Sequence, residues 1–329
     1  NSVHTFANDP ARGLFILTFL FFLIFIALIV FFLFHKKDKS RITKFYWLSK
    51  ESSILINNWF IMYFLSVVLI GTVYPIFLEV LSDSKISVGP PFYIKLIIPF
   101  LIIFLIVMSI GPNLSWIKSN KKKIEFNKII LFLVSLLISF LLYKNVGSES
   151  LINTVLVSAA FYLFFTTISD FYKPKHKVYS QKISHFGFSL LVLSILLNSI
   201  FSTEVTKNLK VGEKFNFKQG TIFFEKIETS KIKNYDSIVG FFIIRDKKDN
   251  PIYLKPELRI YNQPKTITSE ADIKTSLYKD NFIVMNLVKG NEYFNIRYQV
   301  KPFMIWIWIS TLLIAAGGLF SLFNRKYEK

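Results

Sequence analysis

The sequence predicts a polytopic α-helical membrane protein of about seven transmembrane helices, with a small β-rich domain between the last two. Three observations predict it. Apolar residues gather into seven long runs; hydrophobics reach 52% of the chain; and one polar stretch, 202–302, is rich in strand and turn signals. A soluble domain sits at ~45–50% apolar and does not string those residues into runs of about 20.

The runs lie at roughly 14–34, 56–78, 93–111, 128–146, 151–169, 183–201 and 303–323. Each approaches or exceeds the ~20 residues that cross about 30 Å of hydrocarbon at ~1.5 Å per residue. Lipid offers an exposed backbone amide no partner, so these runs are expected to be helices. The expected organisation is a bundle over 1–201, a β-rich domain over 202–302, and a final helix with its tail over 303–329.

The formal charge is +19. On one soluble face it would suggest nucleic acid, but the basic residues sit in short loops between apolar runs, so no nucleic acid is expected. One set comprises Lys36, Lys37, Lys39, Arg41, Lys44 and Lys50, then Lys118, Lys121, Lys122, Lys123 and Lys128. It continues with Lys173, Lys175, Lys177 and Lys182, and ends with Arg325, Lys326 and Lys329. The opposite short loops carry Arg12, Lys85, Lys95 and Lys144. Alternation through seven spans puts every rich loop on one side, cytoplasmic by the positive-inside rule. The N-terminal segment, the Ser87–Pro91 loop, and 202–302 are then outside, and the C-terminus is cytoplasmic.

Within 202–302, Val239–Arg245 and Ile252–Tyr261 flank a turn at Lys247-Lys248-Asp249-Asn250-Pro251. Phe282–Val288 and Tyr293–Val300 flank Lys289-Gly290-Asn291, and Gly212 and Gly220 punctuate an earlier pair, Lys214–Phe217 and Thr221–Ile227. Runs rich in β-branched and aromatic residues with such turns predict a small antiparallel sheet or barrel.

The chain has no Cys, which excludes a disulfide frame, a thiolate metal site and a thiol nucleophile. The strong ligands that remain are His4, His35, His176 and His185. No Ser–His–Asp arrangement, P-loop or metal-hydrolase motif occurs, and acidic residues are almost absent from the spans, which argues against a coupled transporter. The start is polar, with neither initiator Met nor the short basic region of a signal peptide, and is read as the edge of a fragment.

Asp9 and Pro10 fit the N-cap and first position of the first span, which holds His4 just outside the membrane with Arg12 nearby. An imidazole and a guanidinium so spaced suit haem iron and a propionate. They equally suit a solvated terminal residue and an arginine snorkelling to headgroups. His185, in Ser184-His185-Phe186-Gly187-Phe188, opens the sixth span, where an ionisable group is costly and usually functional. Gly187 beside it would let a flat ring approach, with Phe186 and Phe188 packing; the alternative is an imidazole bonded to a neighbouring carbonyl. His35 and His176 sit among lysines and receive no role. Trp306 and Trp308 suit either an interfacial anchor or a porphyrin stack. Gly317-Gly318 reads as a helix contact, Ser87-Val88-Gly89-Pro90-Pro91 as a stiff turn or pocket floor, and Asn57 and Asn58 as caps opening the second span.

The order SVHTFANDPARGLFIL at 2–17, ISVGPPFY at 86–93 and His-x-Gly at 185–187 resembles the C-terminal half of the CcmF family. LKPELRIYNQPKTITSEADI at 254–273 and WIWISTLLIAAGGLFSLFNRKYEK at 306–329 extend the resemblance in the same order. CcmF is the membrane haem lyase of cytochrome c maturation, and NrfE, serving nitrite-reductase haem, shares much of the pattern. The resemblance implies that His4 helps hold the haem being delivered, and that His185 is an axial ligand of a resident b-type haem. Ser184 stands where the family usually has alanine, and Asn324 where it often has Asp. The family's tryptophan-rich signature and the partner histidine of each pair belong to an upstream half, carried in the same polypeptide or a second one. Implied partners are that half, the haem chaperone CcmE, apocytochrome c with its CcmH/CcmI-type carriers, and quinol. The implied setting is a bacterial or mitochondrial inner membrane. The rival expectations are a haem carrier or exporter without lyase activity, and an assembly scaffold.

Overall fold

The computed structural model describes residues 10–34, 46–82, 88–118, 126–146, 150–172, 179–246, 250–263, 265–288 and 292–324. The chain divides into two units, 1–45 and 46–329. The first holds one helix, α1 (Pro10–Phe34). It opens on Pro10, whose missing amide N–H costs nothing at the first helical position. Past Arg12 it carries no charge and is apolar on every side, the pattern of a helix that does not face water.

The second unit holds α2 (Lys50–Ser82), α3 (Pro90–Ile110), α4 (Phe126–Val146), α5 (Leu151–Phe171) and α6 (Tyr179–Phe201), then ten described strands, then α7 (Met304–Asn324). Among the described residues these six helices are long and apolar enough to cross a membrane, while the apolar stretch of α1, Thr18–Phe34, is shorter. The chain is a multi-pass membrane protein with a β-rich domain. Asn57 and Asn58 do not cap α2. The helix opens about two turns earlier, at Lys50, where Ser49 Oγ accepts the amide hydrogen of Ser52 at 3.1 Å. The polar first turn had hidden that start.

Lipid tails are as apolar as leucine, so helices pack through small residues and close contact rather than by expelling water. α5 supplies Ser158, Ala159 and Ala160, all buried, between α3 and α6. Phe104 and Leu105 of α3, Leu156 and Leu163 of α5, and Leu193 of α6 fill the space around them. Ser139 Oγ donates to the Thr154 carbonyl at 2.6 Å and ties α4 to α5, and Thr167 and Ser189 hydroxyls meet at 2.9 Å between α5 and α6. The tightest crossing joins α6 to α7. A Cβ on Gly317 would stand 2.7 Å from the backbone nitrogen of Ser184, and one on Gly187 would stand 3.0 Å from that of Ile314.

The strands are β1 (Thr203–Leu209), β2 (Lys214–Phe217), β3 (Gly220–Ile232), β4 (Tyr235–Asp246), β5 (Pro251–Leu254), β6 (Glu257–Asn262), β7 (Lys265–Glu270), β8 (Asp272–Thr275), β9 (Lys279–Leu287) and β10 (Phe294–Pro302). They form two sheets, β1-β10-β9-β8 and β2-β3-β4-β6-β7, with β5 also paired to β4. The single sheet or barrel expected from the pattern is therefore a sandwich of two sheets. The expected strand Ile252–Tyr261 is split at Lys255-Pro256, because Pro has no ladder hydrogen to give; its carbonyl instead accepts from Gly240 at 3.0 Å. Between the sheets lie Ile222, Phe224, Phe242, Ile244, Leu258, Ile283, Met285 and Ile296, all essentially inaccessible. Phe224 and Phe242 stack at 4.3 Å between centroids.

No linker separates sandwich from helices. β1 begins at Thr203, just beyond the end of α6 at Phe201, and β10 ends at Pro302, just before α7 starts at Met304. Phe303 makes the corner with φ 63°, a left-handed conformation that a bulky residue rarely adopts. Its N–H donates to the Tyr278 carbonyl at 3.0 Å and its carbonyl accepts from Trp306 at 3.1 Å. Asn198 Nδ2 donates to the Pro302 carbonyl at 2.6 Å, so the end of α6 and the start of α7 are level.

Three outcomes follow. Gly317→Val should break the α6–α7 crossing and lower the detergent melting temperature sharply, whereas Gly318→Ala, whose Cβ meets nothing within 4 Å, should melt like the wild type. Phe224→Ala should cost the sandwich about 3–5 kcal/mol in chemical denaturation, the usual penalty for emptying a buried aromatic site. Hydrogen bonds from Arg297 and Gln299 hold the Glu204 carboxyl below the usual range. Its contribution to stability is thus present above the unfolded carboxylate value of ~4.3 and is lost as pH falls through the lower folded value. Glu204→Gln should flatten that acid limb in a pH series of melts.

Candidate functional site

At the end of the bundle opposite the sandwich, three helix ends line an open cavity of about 210 Å³. α2 contributes Lys50, Ser53, Ile54 and Asn57; the end of α3 and the turn after it contribute Val107, Met108, Gly111 and Pro112; α6 contributes Gln181 and His185. One imidazole thus shares a small space with an ammonium, two amides and an apolar wall. Drug-sized ligands generally occupy ~300–1,000 Å³, so this cavity is the size of part of a binding site.

The walls are fixed by the chain that follows α3. Lys50 N–H donates to the Ser115 carbonyl at 3.0 Å, and both carboxylate oxygens of Glu51 accept the Ile117 N–H, at 2.9 and 3.0 Å. Ile117 has φ 66°, so the carboxylate clasp holds a β-branched residue in a conformation it disfavours. The Lys50 ammonium lies 5.3 Å from the centre of the Trp116 ring. The clasp joins the start of α2 to the turn after α3, two sides of the cavity.

His185 is half-buried, in the second turn of α6. Asp170, in the last turn of α5, and Lys50 are the charged groups near enough to act on its ring. Phe186 packs on Phe164 at 5.8 Å and Phe171 at 5.9 Å, and Phe188 meets Phe104 at 6.2 Å, which locks the α6 turn carrying His185 against α5 and α3. Gly187 does not open a path for a flat ring. It is filled from the other side by Leu313 and Ile314 of α7. The reason is helical geometry: residues two apart point about 200° away from each other, so His185 and Gly187 serve opposite faces.

The remaining expected site residues do not join this cavity. Trp306 and Trp308 lie at the sandwich end of α7; Trp306 Nε1 donates to the Leu277 carbonyl at 3.0 Å, and Trp308 is 65% exposed. His185 and Asn198 are separated along α6 by roughly 20 Å at ~1.5 Å per residue, so His185 and the two tryptophans mark opposite ends of the bundle. Arg12 lies in the first turn of α1. His4 lies outside the described residues, as do His35 and His176.

Sequence reasoning missed Lys50, Asn57 and Gln181 as neighbours of His185. Lys50 had been counted as a loop charge and Asn57 as a cap. The available signal was periodicity: once α2 starts at Lys50, Lys50, Ser53, Ile54 and Asn57 fall at i, i+3, i+4 and i+7 and share one face.

Residues 200–302 match the family described as the CcmF C-terminal beta-sandwich. The chain is 30% identical to the cytochrome c-type biogenesis protein CcmF of Pseudomonas fluorescens, over 99% of its own length and 51% of that protein's. It is 29% identical to CcmF of Escherichia coli over 100% and 52%, and 25% identical to NrfE of Haemophilus influenzae over 100% and 53%. The chain therefore spans about half the length of the curated relatives it matches. A solved cytochrome c heme lyase CcmF superposes with a TM-score of 0.65 at 18% identity, covering 84% of this chain and 46% of that one. It shares the fold: apolar helices flanking a sandwich. Over nearly its whole length the chain is similar to the CcmF cytochrome c-type biogenesis proteins, and it matches the half of them that carries the C-terminal beta-sandwich.

Proposed function

We propose that this chain is the C-terminal half of an inner-membrane haem lyase, working in cytochrome c maturation together with the half its relatives carry besides it. Similarity to CcmF proteins over almost the whole chain supports the role. The observation that carries the mechanistic reading is His185, an imidazole within a membrane-crossing helix that lines a cavity with an apolar wall and a polar one.

The donor set fits a b-type haem. Among the described residues no three His, Cys, Asp or Glu come together, whereas a porphyrin brings four nitrogens of its own and asks the protein for axial ligands alone. Ile54, Val107, Met108 and Pro112 suit the ring, and Lys50, Asn57 and Gln181 suit its carboxylates. A resident haem would supply one-electron chemistry that keeps the delivered iron reduced, with quinol as the donor. His185 would hold its iron on one side, with the second imidazole coming from the partner half.

The haem substrate is delivered by the chaperone CcmE at the opposite membrane face, on the sandwich side. His4 would take its iron with a histidine of the partner half and Arg12 would pair a propionate. Trp306 and Trp308, at the sandwich end of α7, would stack on the porphyrin. An apocytochrome brought by CcmH/CcmI-type carriers presents two cysteines. Each S–H adds across a haem vinyl group, the sulfur bonding one carbon and the proton going to the other. The protein positions the reactants and holds the iron's redox state, and the bond chemistry belongs to thiols and vinyls. That accounts for a chain with no Cys of its own. The lysine-rich loops and the C-terminus would face the cytoplasm and the sandwich the periplasm.

His185→Ala in the intact protein tests the reading. The reduced b-haem absorption band should disappear while the protein still inserts and folds. A band of unchanged intensity and position would remove His185 from the site.

A further inference from the structure

We propose that the turn between β8 and β9 is a lipid-inserted foot that seats the sandwich on the membrane surface. Ser276 N–H and Oγ donate to the Lys279 carbonyl at 3.1 and 2.7 Å, and the Lys279 N–H returns to Ser276 Oγ at 3.1 Å. This tight turn places Leu277 and Tyr278 at its centre, and they are 59% and 78% exposed. In water the centre of such a turn favours Gly, Asn, Asp or Pro, each for a backbone reason. A leucine and a tyrosine projecting there suit an interfacial solvent instead, where an apolar body and a polar tip are both satisfied.

The height of the turn says what covers it. The Tyr278 carbonyl accepts from Phe303 at 3.0 Å, immediately before α7, and the Leu277 carbonyl accepts from the Trp306 indole at 3.0 Å, in the first turn of α7. α7 is itself apolar enough to cross the bilayer from Met304. The Asn198–Pro302 bond puts the end of α6 at the same level. The turn thus lies beside the first turn of a membrane-crossing helix, at the depth of headgroups and upper acyl chains. Lys274 and Lys279 flank it on β8 and β9, placed to meet phosphate groups of anionic lipid. Trp306, bonded to the turn, and Trp308 on the same helical end extend it into an aromatic belt. With both junctions to α6 and α7 free of linker, a third point of attachment fixes the tilt of the sandwich, because two adjacent anchors alone leave a hinge axis. The proposal does not depend on haem binding.

The test uses the intact protein in phosphatidylethanolamine–phosphatidylglycerol vesicles, with Leu277→Cys or Tyr278→Cys carrying an environment-sensitive fluorophore, and the unsubstituted protein as background. This chain contributes no Cys of its own. Lys233→Cys, in the β3–β4 hairpin, is the comparison: it follows the long β3, whose opposite end lies near Thr203 through the Thr203–Gln219 bond at 3.0 Å. At 277 and 278 the label should emit blue-shifted, be quenched severalfold more by lipids carrying a doxyl group near the headgroup than at 233, and resist aqueous iodide. Iodide access equal to that at 233 would overturn the proposal. So would a label shielded from both quenchers, which would mean that protein, not lipid, covers the turn.

Discussion

The close approach of α6 and α7 is the contact on which the rest of this molecule rests. The two helices are separated in sequence by the whole sandwich, yet they meet where Gly187 faces Ile314 and Gly317 faces Ser184 and Ser180. Lipid supplies little drive for helices to associate, so this contact depends on backbones coming near enough for dispersion to add up over many atoms. The sandwich converts the same contact into a rigid body. Its first and last strands are hydrogen-bonded neighbours, Thr203 opposite Val300, and each runs directly into one of the two helices. Ladder and helix crossing each fix the spacing that the other needs.

That arrangement separates two environments by the length of a span. One end of the bundle carries the sandwich, Trp306, Trp308 and the level set by Asn198 and Pro302. The other carries the open cavity with His185, two sides of which are joined by the Glu51–Ile117 clasp. A group held at one end cannot be touched by residues at the other, so the two ends act on each other only across the length of a span. In the proposed lyase, electrons would come from the cavity end and the covalent chemistry would happen at the sandwich end. The protein then acts as a scaffold of fixed length, which a chain without thiols is equipped to be.

In the proposed lyase the cavity is one wall of a site that the partner half completes. Its polar members sit on α2 and α6 and its apolar wall on the end of α3, and hydrogen bonds or aromatic contacts hold each: Ser49 under α2, Glu51 on the turn after α3, and Phe186 and Phe188 along α6. Its volume of about 210 Å³ is below the ~300–1,000 Å³ of pockets that hold a drug-sized ligand. A partner surface that supplies the opposite wall would find this one already formed, with little ordering left to do on association.

What the sequence determined by itself is everything set by period and solvent. Runs such as Leu151–Phe171 had to be helices because lipid leaves the backbone no other partner, and alternating strands with punctuating turns had to be sheet. The helix contact at Gly317 was legible because a small residue in a span has few other uses. His185 stood out because an ionisable group there is expensive. What only the tertiary structure decided is which faces meet. Gly187 was expected to serve His185 and instead serves α7, because neighbours in sequence lie on opposite sides of a helix. Asn57 became a wall of the cavity rather than a cap, since the start of α2 is set by Ser49, a hydrogen bond away from any hydrophobic pattern. The two-sheet sandwich, rather than one sheet or a barrel, follows from β1 pairing with β10 across the full length of the domain. Such long-range pairings depend on side-chain fit in three dimensions, and no local period encodes them.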